Sequence, residues 1–256
     1  MPRPPHYRCQ HSSVPTFGRR CGFTIVELMI AIAMGLFLMA GIFGVVVSMK
    51  RTFTTSDQLT KLQENQRFLL NVFDNTIRVA GYYVDPVLTS RADLYLVAPV
   101  ANPDGSQFVA DHFIIGTSGA GGVGDTVNVR YQSGGNNSVT NCLGETGGTP
   151  AVFWINSFAV INNQLTCAVS VNGAAFGTPT VLADNVQSFT VTYGIDTNDD
   201  GSVDTYVAST GVADWLRVRT VRLKVIFVDP TNSKPGVTAL VPAPLLYTVT
   251  LMNRPL

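Results

Sequence analysis

The chain has 256 residues, 46% of them hydrophobic and 13% charged, with 17 basic and 17 acidic side chains in formal balance. Overall neutrality offers none of the basic excess that a nucleic-acid binder uses to neutralise phosphates, and the length is ample for one core of ordinary size. The balance conceals an asymmetry: the first 22 residues hold Arg3, Arg8, Arg19 and Arg20 and no acid, which leaves 13 basic against 17 acidic side chains in the remainder.

After this basic stretch comes an uncharged apolar run from Leu28 to Met49, 22 residues long. About 20 residues of α-helix cross the hydrocarbon core of a bilayer, whereas the apolar region of a cleaved secretory signal is about 7 to 15 residues. The run therefore predicts a transmembrane helix. A basic flank stays cytoplasmic under the positive-inside rule, which sends everything after Met49 across the membrane. Arg19-Arg20 does not make a twin-arginine signal, because Cys21-Gly22 stands where that motif wants a Phe. At the mouth of the run sits Glu27, an acid that would cost about 2.5 to 3.5 kcal/mol at mid-bilayer if unpaired. The nearest positive residues along the chain are Arg20 and Lys50, so its partner is expected from another molecule.

Gly22-Phe23-Thr24-Ile25-Val26-Glu27-Leu28, followed by that run, resembles the class III signal of type IV pilins and of the pseudopilins of type II secretion. The resemblance implies cleavage between Gly22 and Phe23 by a prepilin peptidase and methylation of the new Phe23 amine. It also implies that Glu27 meets the terminal amine of a neighbouring subunit as a filament grows. Many major pilins carry a proline in this half of the helix; here there is none between Phe23 and Tyr83, and Gly41 and Gly44 become the candidate flexible points.

Beyond Met49 the apolar positions Leu59, Leu62, Leu69, Phe73, Ile77 and Ala80 recur at helical spacing with Asp57, Lys61, Glu64, Arg67 and Asp74 between them. That pattern is one amphipathic helix. From Phe23 to Ala80 it would run about 87 Å at 1.5 Å per residue, its first half in membrane or filament and its second half seated on a head through the face from Leu59 to Ile77. Gly81 caps its C-terminus. The rest reads as β: strands are predicted at 108–115, 125–132, 151–161, 165–171, 186–193, 215–228 and 245–252, with Asn162-Asn163 as a tight hairpin turn. Alternation in 221–227 puts Val221, Leu223, Val225 and Phe227 on the core face and Arg222 and Lys224 outside. Long loops are expected at 116–124 and 134–150. The fold class is α+β, a long N-terminal helix on an antiparallel β-rich head, with segments 1–22, 23–80 (transmembrane about 28–49) and 81–256. Cys9 and Cys21 fall in the leader; Cys142 and Cys167 fall in the exported part, where disulfides persist. Pairing the latter two would contribute about 3 to 4 kcal/mol in the chain-entropy model, and the lack of nearby His or Cys disfavours a metal there.

The helix end Ile77-Arg78-Val79-Ala80-Gly81-Tyr82 resembles that of PilW-type minor pilins, as do Gly124-Asp125-Thr126-Val127-Asn128-Val129-Arg130-Tyr131, the cysteine pair, Tyr193-Gly194-Ile195-Asp196 and the terminal Thr248-Val249-Thr250-Leu251-Met252-Asn253. What the resemblance implies is a type IV pilin-like fold and a structural, non-catalytic minor pilin that helps prime and cap a type IV pilus. Its partners would be other minor and major pilins, the prepilin peptidase and the inner-membrane assembly platform; it would start as a single-pass inner-membrane protein and end in the fibre or at its tip. The alternatives are a larger, J-like type II secretion pseudopilin and a pilus-associated DNA-uptake receptor.

Four further features call for weighing. Asp196, Asn198, Asp200, Ser202 and Asp204 fit the opening of a calcium loop, D-x-[DN]-x-[DN]-G with an acid at the ninth position. Val207 stands where the bidentate Glu belongs, so a calcium loop of modest affinity and a solvated acidic turn both stand as readings, and no cofactor is required. Gly119-Ala120-Gly121-Gly122-Val123-Gly124 spells a dinucleotide fingerprint but precedes a strand rather than a helix, which makes it a loop. His112, expected within an apolar strand, has no nucleophile motif beside it. Arg217, Arg219, Arg222 and Lys224 cluster near Trp215, yet strand alternation splits them between faces, which reads as a solvated sheet surface rather than a nucleic-acid site.

Overall fold

The computed structural model describes residues 22–85, 100–119, 124–134, 139–228 and 244–253. The segment up to Cys21, expected to be a leader and holding Cys9 and the Arg19-Arg20 pair, lies outside the described residues, as do Ala120 to Val123 of the glycine loop. The chain divides into two compact units, Met1–Thr54 and Thr55–Leu256.

Helix α1 is Ile25–Ile77. It starts two residues later than the sequence pattern suggests because Thr24 is its cap: the Thr24 hydroxyl accepts the Glu27 N–H at 3.3 Å, and the Thr24 carbonyl accepts the Leu28 N–H at 3.2 Å. Thr-x-x-Glu is the capping-box spacing. Through the first unit the helix is unbroken at Gly35, Gly41 and Gly44, and its large apolar side chains from Ile25 to Met49 are exposed except the half-buried Val47. It is long and apolar enough to cross a membrane.

In the second unit the helix ends at Ile77, three residues before Ala80, and the chain turns through Gly81 at φ +80°. A Cβ there would lie 2.8 Å from the Asn253 carbonyl oxygen and 3.1 Å from the Phe113 ring, so glycine is required for conformation and for space. The strands are β1 Ile114–Thr117, β2 Thr126–Ser133, β3 Val152–Ile161, β4 Gln164–Val171, β5 Thr180–Ala183, β6 Val186–Ile195, β7 Thr205–Val207, β8 Val218–Phe227 and β9 Leu245–Thr250. They form two antiparallel sheets, one in the order β1-β2-β3-β4-β5 and the other β7-β6-β8-β9. β3 and β4 are joined by Asn162-Asn163, both at positive φ (51° and 60°), as a two-residue primed turn demands. Along β8, Val221, Leu223, Val225 and Phe227 are buried while Arg222 and Lys224 are exposed.

One core is shared by both sheets and the helix face Leu69, Phe73, Ile77. Phe73 is its centre: its ring meets Phe158 of β3 edge-on at 5.6 Å and stacks on Phe189 of β6 at 6.0 Å. Leu59 stays 40% exposed and Leu62 only packs from the side, so the seat runs from Leu62 to Ile77 rather than from Leu59.

Two predicted strands start several residues later than expected, and two further strands were not predicted. Residues 108–113 are not strand; the chain turns at Asp111 (φ 64°), which places His112 outside β1. Its carbonyls are redirected: the buried Arg130 guanidinium donates to the Val109 carbonyl at 2.8 Å and to that of His112 and lies 4.6 Å from the Phe108 ring centre. Trp215–Arg217 is a 3-10 turn capped by Asp214, whose carboxylate accepts the Leu216 N–H at 2.9 Å. The short edge strands β5 and β7 go unmarked in the sequence pattern.

Candidate functional site

At the N-terminal motif, Glu27 is the acid in the first turn of α1. Gly22, Phe23 and Glu27 are exposed, and among the described residues Glu27 has no ion-pair partner. The helix dipole favours an acid there, and the Thr24 hydroxyl caps the turn through the Glu27 N–H. The carboxylate is thus placed at the entrance of an apolar helix with no countercharge paired to it among the described residues.

In the head, the C-terminal turns of α1 are clasped by polar contacts as well as by Phe73. Asp74 pairs with Arg78 one turn on and accepts the Tyr247 hydroxyl of β9 at 2.8 Å; the Arg78 carbonyl accepts the Met252 N–H at 3.2 Å. Cys142 and Cys167 form a disulfide that joins the loop 139–146 to β4, and Asn156 of β3 holds the same loop through the Cys142 N–H at 2.9 Å. A groove of about 420 Å³ runs between Phe68 and Thr76 of the helix, this loop and β5.

Two acids that sequence reasoning missed hold the sheets. Asp125 is buried: its N–H donates to the Phe189 carbonyl at 3.0 Å and its Oδ2 accepts the Val191 N–H at 2.9 Å, which ties the start of β2 to β6 of the other sheet. Asp104 accepts from the Ser106 N–H and hydroxyl (3.0 and 2.6 Å), from Asn128 Nδ2 (2.8 Å) and from the Thr126 hydroxyl. Burial pushes the Asp104 carboxyl up, but these donors outweigh it and hold the group below the ordinary range. The buried Asn128 and Arg130, alternating with Val127 and Val129, were the available signal: polar positions in a strand buried on both faces require partners. Among the described residues no three His, Cys, Asp or Glu side chains are grouped to hold a metal.

The loop after β6 places Asp196 fully buried and Asn198, Asp200, Ser202 and Asp204 on the exposed or half-exposed surface. Asp196 pairs with Arg219 of β8 at 2.7 Å. Asp204 turns to the Thr197 N–H and hydroxyl at 2.8 and 2.6 Å. The three arginines of the basic cluster are engaged within the head. Arg217 pairs with Asp199 at 3.1 Å and donates to the Thr197 carbonyl at 2.6 Å, and the Arg222 guanidinium sits 3.7 Å from the Tyr206 ring centre. His112 is half-buried, and burial pushes its pKa down against the pull of Asp214.

Residues 152–241, which include β3 to β8, match the family described as Type IV Pilus-assembly protein W, and residues 18–43 match the prokaryotic N-terminal methylation motif. The solved structure of the type IV-like pilin TTHA1219 from Thermus thermophilus is similar at a TM-score of 0.40 and 15% identity, over 75% of this chain and 96% of that one. No curated protein matches the chain. A methylation motif opening an apolar helix, with an antiparallel β head after it, defines the class as type IV pilin-like. The match across its head strands, together with the methylation motif, supports a PilW-like minor pilin of type IV pilus assembly. The class is structural: it works by associating with other pilins and the assembly machinery.

Proposed function

We propose that this minor pilin acts at the start of fibre growth, in a priming or tip complex with other minor and major pilins. On this reading a prepilin peptidase cuts between Gly22 and Phe23, and the Phe23 amine is methylated. Segment 1–22 is then the leader, 23–80 the assembly helix and 81–256 the periplasmic head of an inner-membrane, single-pass protein delivered to the fibre by the assembly platform. The observation that carries the proposal is Glu27, an exposed acid at the head of the otherwise uncharged apolar stretch of α1 up to Met49, without an ion-pair partner among the described residues. A carboxylate so placed calls for a cation from a neighbouring subunit, and a newly cut Phe23 amine is of the right charge at the right end. The reading requires neither catalysis nor a cofactor, and calcium has no part in it. The internal engagement of Arg217, Arg219 and Arg222 weighs against DNA as the partner.

Glu27→Gln in the full chain separates assembly from local helix capping, because Gln at this position completes a capping box as Glu does. The variant should accumulate normally in membranes while surface fibres fall about tenfold or more, since orphaning one member of a buried charge pair costs about 3 to 5 kcal/mol. Fibre counts equal to wild type, or envelope protein that still carries residues 1–22, would remove the proposal.

A further inference from the structure

The loop from Asp196 to Asp204 carries the spacing of a cation-binding turn, yet its geometry includes a cation already. Arg219 lies 23 residues further along, on β8, and its guanidinium addresses Asp196 Oδ2 with both Nε (2.8 Å) and Nη2 (2.7 Å). The same oxygen accepts the Gly201 N–H at 2.9 Å, and Oδ1 accepts the Asp200 N–H at 3.2 Å. Asp196 is wholly buried and the Arg219 side chain 19% exposed. A carboxylate desolvated to this degree requires a charged partner, and Arg219 is that partner. Arg217 repeats the arrangement on the outer turn, with its Nη1 on the Thr197 carbonyl and its Nη2 on Asp199.

The Asn198, Asp200 and Asp204 side chains of the sequence pattern accept hydrogen bonds within the loop. Asn198 Oδ1 accepts the Asp200 N–H at 3.1 Å, Asp200 Oδ1 accepts the Ser202 N–H at 2.7 Å, and Asp204 is held by Thr197. We infer that Arg219 is the resident cation of this loop: its guanidinium fills the charge position a divalent ion occupies in turns of this spacing and latches the β6–β7 connection to β8 without metal. A divalent ion would have to expel a bidentate guanidinium from the one buried carboxylate of the set, and charge repulsion between the two cations opposes their sharing it. The inference concerns the head alone and stands or falls independently of Glu27. It also yields a converse: without the guanidinium, the vacated carboxylate and its neighbours become a weak oxygen site of the kind divalent calcium occupies.

The test is thermal unfolding of the full chain in detergent micelles, followed by tryptophan fluorescence, in EGTA and in about 1 mM calcium, the range of weak oxygen-ligand sites. Wild type should melt at one temperature in both. Arg219→Met should melt lower in EGTA by about 5 °C or more, as expected for a buried carboxylate stripped of its partner, and calcium should restore at least half of that loss. Arg219→Lys, which keeps the charge, should melt between the two and ignore calcium. A calcium-dependent rise in wild type or in the Lys variant would overturn the inference. So would an Arg219→Met variant that melts with wild type, or one whose loss calcium leaves untouched. If the Met variant does not fold, the wild-type and Lys arms still decide the matter.

Discussion

Phe73 is the residue on which the head closes, since its ring touches Phe158 of one sheet and Phe189 of the other while it belongs to the helix. Its full burial and its place between three elements leave no neighbour free to collapse into the gap that truncation would make. Phe73→Ala should therefore cost about 3 to 5 kcal/mol, most of what a domain of this size ordinarily has. Urea unfolding of the full chain in micelles measures this; a loss under about 1 kcal/mol, the range of a surface change, would show that the two sheets hold together without the ring. The position was legible in the sequence from helical periodicity alone. Asp104 and Asp125 were not, because a carboxylate that serves as a hub for distant N–H and hydroxyl groups looks like any loop acid until those groups are brought to it. Asp196 was half legible: its spacing announced a cation, while the Arg219 that supplies one stands 23 residues away.

At the scale of elements, what could be read was local and what could not was long-range. The β3–β4 hairpin was legible because Asn162-Asn163 states its turn, and β8 because its burial alternates. Residues 108–113 have strand composition, but Arg130 takes the carbonyls of Val109 and His112, and no pattern within 108–113 records that. β5 and β7, of four and three residues, are too short for periodicity to show. The disulfide shows how a poorly patterned element is fixed. The loop 139–146 packs few apolar side chains, and its attachment to β4 is covalent across 25 residues of sequence. Closing a loop of that length is worth about 3.5 kcal/mol in the chain-entropy model. Replacing both cysteines, Cys142→Ser with Cys167→Ser, should lower stability by about 3 kcal/mol and expose the loop to protease before the remainder of the head. Equal denaturation midpoints for the double variant and wild type would show that Asn156 and Ser133, which also hold this loop, suffice without the bridge.

For the molecule as a whole, the compartment sets the conditions that the head must survive, and three of its titratable groups, His112, Asp104 and Asp196, make it weaker in acid. His112 has its pKa lowered from 6.5, first by burial and then by Arg130, with Asp214 and Asp111 pulling the other way. The unfolded chain therefore takes up this proton at a higher pH than the folded chain. Stability is complete above about 6.5 and is lost as pH falls through the folded value. Asp104 and Asp196 are carboxyls that burial alone would raise. Hydrogen bonds from Ser106, Thr126 and Asn128 to Asp104, and from Gly201 and Arg219 to Asp196, bring both below 3.8 instead. Their contribution is present above about 3.8 and disappears below it as the folded forms are forced to protonate. All three effects share one sign. The melting temperature should thus fall in two stages as pH is lowered from 7 to 3, a shallow decline beginning near 6.5 and a steep one beginning near 4. His112→Gln should abolish the first stage and leave the second, because a neutral amide has no proton to gain, whereas Asp104→Asn should lower the plateau at neutral pH and blunt the second. A melting temperature that holds constant from pH 7 to 3, or rises toward acid, would mean that these groups meet the same environment folded and unfolded, and the polar network around Asp104 would have no part in holding the segment 100–106 against β2.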